Sequence, residues 1–102
     1  MPIYLRVYQT GFDPADVEDI RRFFLEDVKP VFDDHDGCLK IQLAVSVEKN
    51  AGGLLEGAVI SRWSSLPAME AAVSSRAVAE ALVRVRQFLR LEPVAKVYEI
   101  VE

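Results

Sequence analysis

At 102 residues, 51% apolar and 27% charged, the chain has the length of one domain and the composition of a globular protein, not a disordered one. A net charge of −4, with Lys and Arg not gathered among aromatics, argues against nucleic acid as a partner. No apolar run approaches the ~20 residues that cross a bilayer, no signal peptide is evident at the N-terminus, and the single cysteine, Cys38, excludes an internal disulfide. The expectation is one domain over residues 1–102, cytoplasmic, with no membrane partner.

Residues 3 to 9 alternate Ile3, Leu5 and Val7 against Tyr4, Arg6 and Tyr8, which predicts a strand. Asp13 and Pro14 then mark a helix start, since Asp caps and Pro suits the first helical position, and Asp16, Glu18 and Asp19 complement the dipole. Val17, Ile20, Phe24, Val28 and Val31 keep helical spacing, and Pro30 is expected to end or kink the helix in its last turn. Asp33, Asp34, His35, Asp36 and Gly37 read as a turn. Residues 38 to 48 then form a strand with Leu39, Ile41, Leu43, Val45 and Val47 on one face. Asn50 to Gly53 close a hairpin. The strand over residues 55 to 63 sets Val59, Ser61 and Trp63 against Ala58, Ile60 and Arg62. Pro67 to Val73 predicts a short helix, Ser74 and Ser75 a break or new cap, and Val78, Leu82, Val85 and Leu89 a longer amphipathic helix that Glu92 and Pro93 stop. Val94 to Val101 reads as the last strand.

This order, βαββαβ, implies an α+β ferredoxin-like fold: a four-stranded antiparallel sheet with both helices on one face. The uncovered face is expected to show Tyr4, Arg6, Tyr8, Ala44, Ile60 and either Tyr98 or Ile100. That mixture is too apolar to leave in water, so a second copy packed on it, as a homodimer through the open sheet face, is expected. Arg6 and Arg62 would then sit together on the dimer face, paired with Glu48, Glu56 or Glu99.

Residues 58 to 72 carry the most specific pattern. A strand ends in the only tryptophan, Trp63; Ser64, Ser65, Leu66 and Pro67 turn the chain; and an alanine-rich helix follows over Ala68, Met69, Glu70, Ala71 and Ala72. This resembles the antibiotic biosynthesis monooxygenase (ABM) family of small dimeric α+β barrel proteins, in which a strand ending in Trp precedes a short alanine-rich helix. The resemblance implies that two sheets pair into a dimeric α+β barrel, and that each chain has a pocket between its helices and the covered sheet face. It casts Trp63 as the catalytic and stacking residue and Ser61 as its substrate-binding neighbour. The remaining contacts would come from Val7 and Leu5, from Phe24 (or Phe23), and from Ser74 (or Val73). Such an aromatic-lined slot suits a small apolar or aromatic molecule.

Relatives that degrade haem use an asparagine in the first strand and a histidine in the short helix. Here the first strand has no Asn, and Ala72 stands about where the His would be, so haem degradation is disfavoured. Quinol-oxidising relatives use dioxygen with no cofactor, on a substrate that ionises to an electron-rich anion. Arg62, Arg76, Tyr4, Tyr8 and Ser61 are the polar candidates around Trp63, and no clear base is among them. The resemblance therefore implies a cofactor-independent monooxygenase for a small quinol or anthrone-like molecule. The alternative is a non-catalytic homodimer that binds a small ligand or is purely structural, and a cyclase or isomerase on the same barrel is a third reading.

His35 and its three neighbouring aspartates read as a solvated turn, because four adjacent residues cannot converge on one ion; no metal is expected. Cys38 reads as a small strand residue without an activating neighbour. Arg76, Arg84, Arg86 and Arg90 do not form one stripe and read as a solvated helix face.

Overall fold

The structure is a computed structural model and describes residues 2–102. Ile3–Phe12 forms β1, three residues longer than the alternation predicts, because Thr10, Gly11 and Phe12 still pair with the neighbouring strand. Asp13 caps the turn that follows, its Oδ1 accepting from Ala15 N at 2.9 Å, and α1 runs Val17–Phe23. The helical path does not stop before Pro30. A π turn, Phe24–Val28, in which Lys29 N–H reaches back five residues to Phe24 O, joins α1 to α2, Lys29–Asp33. Pro30 sits in the first turn of α2, where a missing N–H does least harm. The wider turn also keeps Phe24, Val28 and Phe32 on one buried face despite their strict four-residue spacing.

Strand β2 is Cys38–Val45 and β3 is Leu55–Trp63. Asn50 shapes the connection: its Oδ1 accepts from Gly52 N and Leu54 N, and Gly53 takes φ 79°. β2 is shorter than expected and carries a bulge between Cys38 and Lys40. The bulge removes Leu39 from the inner face, leaving it 53% exposed, while Val47 lies beyond the strand. Helices α3 (Leu66–Val73) and α4 (Arg76–Val85) are separate, each capped by a serine: Ser65 Oγ accepts from Ala68 N, and Ser75 Oγ from Val78 N. α4 ends earlier than Glu92, in a 3-10 turn over Arg86–Phe88. β4 is Val94–Ile100.

The sheet order is β2-β3-β1-β4, every pair antiparallel, with the helices on one face: the ferredoxin-like α+β fold expected from the element order. The core between layers holds Phe24, Val28, Phe32, Ile41, Val59, Trp63, Met69, Ala72, Val78 and Ala81.

One expectation is reversed. β1 pairs Tyr4 with Trp63, Arg6 with Ser61 and Tyr8 with Val59, so these three point to the covered face. Leu5 and Val7, expected in the pocket, lie opposite Arg62 and Ile60 and point to the open face. Both faces of β1 are apolar enough to be buried, so alternation alone could not say which is which. Arg6 and Arg62 consequently lie on opposite faces, and Arg6 makes none of the expected pairs with Glu48, Glu56 or Glu99.

Candidate functional site

β3 and β1 run side by side through the middle of the sheet, and their register places a polar group inside an apolar interior. Directly opposite residues of an antiparallel pair share a face with Cβ atoms roughly 5 Å apart. Arg6 and Ser61 are such a pair, flanked by Tyr4 opposite Trp63 and Tyr8 opposite Val59. Ser61 is 1% exposed, Trp63 0% and Arg6 9%. Arg6 and Ser61 are the buried polar residues of the described chain.

The contacts inside this group are specific. Trp63 Nε1–H donates to Ser61 Oγ at 2.8 Å, and the indole lies 6.2 Å from the Phe32 ring at a tilt of 56°. The Arg6 guanidinium carbon lies 5.6 Å from the Tyr8 ring centroid, within cation–π range. Arg6 Nη1 is shielded from solvent and has no hydrogen-bond partner. Burial lowers the Arg6 pKa, opposed by Tyr8. Burial also raises the Tyr8 phenol, against the opposing pull of Arg86 and Arg6.

A small cavity of about 30 Å³ adjoins the group, lined by Tyr8, Phe12, Leu43, Val59, Val85 and Leu89 among others. It has room for about one water, and Trp63 does not line it. A flat aromatic ligand therefore enters only if side chains move, or from the flank at β4, whose Ala95, Val97 and Glu99 share the covered face yet stay exposed.

Of the residues expected at the site, Ser61 and Trp63 are hydrogen-bonded to one another, and Phe24 is in the same core. Ser74 is exposed at the C-terminal end of α3, outside the buried group. Arg62 is exposed on the open face, and Arg76 is exposed and pairs with Glu80 at 2.9 Å. Tyr4 and Tyr8 both pack with the core. Arg6 is the residue that sequence reasoning placed elsewhere; its signal was its position between two tyrosines at i±2, which the strand register alone could interpret.

Among the described residues no three His, Cys, Asp or Glu gather as a metal site. His35 is half-buried, with Nε2 3.4 Å from Ser75 Oγ, and Cys38 Sγ lies 3.7 Å from Lys40 O with its thiol pKa raised chiefly by burial.

The architecture defines a class, two-layer α+β proteins with one bare sheet face. No protein-family model matches the chain, and no curated protein does. Solved structures do. A conserved protein from Methanosarcina mazei Go1 superposes with a TM-score of 0.77 at 14% identity, covering 96% of this chain and 92% of its own. A Caulobacter crescentus CB15 protein, provisionally named an antibiotic biosynthesis monooxygenase, gives 0.74 at 20% identity, covering 98% and 91%. A structure named antibiotic biosynthesis monooxygenase gives 0.68 at 15% identity and covers both chains fully. The chain thus has the fold of structures bearing the ABM name.

Proposed function

We propose that this chain is a cofactor-independent monooxygenase that oxidises a small quinol or anthrone-like aromatic with dioxygen, bound between the helices and the covered sheet face. One observation supports it most: a buried polar group, Arg6, Ser61 and Trp63, sits where a purely structural core is better served by apolar residues. An anthrone ionises at its ring CH2 and gives one electron to O2. The radical pair recombines to a peroxide at that carbon, and loss of water leaves the quinone. Both oxygen atoms are accounted for, one in the product and one in water. The protein's task is to favour the anion and keep water away. The fold likeness to proteins bearing the monooxygenase name is consistent with this reading.

A second reading, a non-catalytic homodimer that binds a small ligand or is purely structural, has its own support. Trp63 is wholly buried, its N–H is occupied by Ser61, and the adjoining cavity is small. Either reading includes a homodimer through the open sheet face and, given one unpaired cysteine, a reducing cytoplasm. The experiment that separates them is dioxygen uptake with a panel of anthrones and quinols, without added metal, flavin or nicotinamide, against a no-protein control. The oxygenase reading expects saturable uptake above background, lowered at least tenfold by Trp63→Phe. Background uptake with every substrate moves the conclusion to the non-catalytic dimer.

A further inference from the structure

Arg6 lacks what a buried charge requires. It lies opposite Ser61 on β3 and Val97 on β4, its Nη1 is shielded and without a partner, and it forms no ion pair among the described residues. The acids around it are elsewhere engaged or turned to solvent. Glu99 shares the covered face, opposite Tyr4, but is exposed and makes no bridge to Arg6. Glu92, near Tyr8, is bridged to Arg86 at 3.2 Å. From the helices above, Glu80 pairs with Arg76, and Glu70 is exposed.

Ser61 has a matching vacancy. Its Oγ accepts from Trp63 Nε1, which fixes the oxygen and leaves the hydroxyl hydrogen without an acceptor among the described residues. Two donors, a guanidinium N–H and a serine O–H, therefore stand on paired positions of adjacent strands with nothing to receive them. Donors held in advance at a water-poor place are the arrangement that stabilises an oxyanion. A carboxylate from a second copy is the other conceivable source of charge. It would arrive on the bare sheet face, and Arg6 points to the opposite one.

We infer that Arg6 and Ser61 form an oxyanion site that selects an acidic hydroxyaromatic ligand, receiving its ionised oxygen as a phenolate or enolate. The aromatic character of the ligand rests on the oxygenase reading above; the negative charge rests on Arg6 itself. The aromatic body lies toward β4, over Val97, which stands directly opposite Arg6 and is 45% exposed. The inference also explains how the substrate ionises when neither a carboxylate nor an imidazole is in the buried group: the site lowers the substrate's own pKa, and solvent takes the proton.

The test uses 7-hydroxycoumarin, whose neutral and ionised forms absorb at different wavelengths, titrated with pH in the presence of saturating protein. The expected result is a tenfold larger ionisation constant for the bound probe than for the free one. Arg6→Met is expected to bind the probe without this shift. Val97→Glu, at an exposed position, supplies Arg6 with an internal carboxylate and is expected to abolish the shift in a folded chain. The inference is overturned if the probe does not bind, if it titrates when bound as it does when free, or if the shift survives in Arg6→Met or in Val97→Glu. The readout needs no turnover. A shift without dioxygen uptake keeps the anion site and removes the oxygenase reading; uptake without a shift does the reverse.

Discussion

Ser61 and Trp63 act as one unit, because each satisfies a polar atom of the other in a place water does not reach. Ser61→Ala removes the acceptor and leaves the indole N–H buried without a partner, which costs about 1–3 kcal/mol. Trp63→Phe removes the donor and some volume, so the buried Ser61 hydroxyl loses its hydrogen-bond partner and the packing against Phe32 weakens. In the double variant nothing is stranded, so its destabilisation falls short of the sum of the two by roughly 1 kcal/mol or more. Urea unfolding of the wild type, both single variants and the double variant measures this; strict additivity would show that the hydrogen bond contributes nothing to the fold. The Ser61–Trp63 juxtaposition was legible from the i, i+2 spacing on one strand. That Arg6 faces them was not, because it depends on which side of β1 is covered, and Leu5 and Val7 are as burial-worthy as Tyr4 and Tyr8.

Gly37 shows what a turn does beyond reversing the chain. The sequence around it, three aspartates and a histidine, marks a turn, and a turn it is. Yet it is also pressed against α3: Ser64 N–H donates to Gly37 O at 3.0 Å, and a Cβ at Gly37 would collide with Ala68 Cβ. The turn, the end of β3 and the start of α3 are thereby locked together behind Trp63. Gly37→Ala forces that junction apart and is expected to destabilise the chain by about 1–3 kcal/mol. Gly52→Ala, where the nearest neighbour of an added Cβ is Asn50 Oδ1 at 3.5 Å, is the control and moves stability by less than about 0.5 kcal/mol. Equal midpoints for the two variants in thermal unfolding would contradict this account. The same limit on reading applies to the helices. Pro30 announced an interruption, but only the backbone shows that a π turn absorbs it and carries the buried row on to Phe32. Elements were legible where local chemistry decides them, as in the Ser75 cap and the Asn50 hairpin. They were not where a neighbouring element decides, as in the bulge that turns Leu39 outward.

At the scale of the molecule, the layering is unfinished. The chain measures 40 × 30 × 19 Å, and its thin direction holds one sheet and one layer of helices. Among the described residues no helix lies beyond the sheet, and Leu91 closes over Gly11 at one end of that face. Leu5, Val7, Ala58 and Ile60 point there from the central strands, and Tyr98 and Val94, 49% and 53% exposed, continue the surface onto β4. β4 is weakly held: every residue from Val94 to Glu99 is exposed, on both faces of an edge strand. An apolar face of this extent in water is costly, and the proposed second copy, packed sheet to sheet, removes it from water while sheltering β4. Val7 and Ile60 stand directly opposite each other at the middle of the face, so a charge there opposes the whole contact. Ile60→Lys points away from the core behind the sheet and leaves the monomer's interior intact. Sedimentation velocity at tens of micromolar is expected to give twice the chain mass for the wild type and a folded monomer for Ile60→Lys. A wild type that sediments as a monomer would remove the dimer, and an unchanged dimer in the variant would place the contact on another surface. Because Arg6 and Ser61 lie on the far side of the sheet, the monomeric variant should still bind 7-hydroxycoumarin and shift its ionisation. If breaking the dimer also abolishes that shift, the two faces are coupled through β1, the strand that carries Arg6 on one side and Val7 on the other.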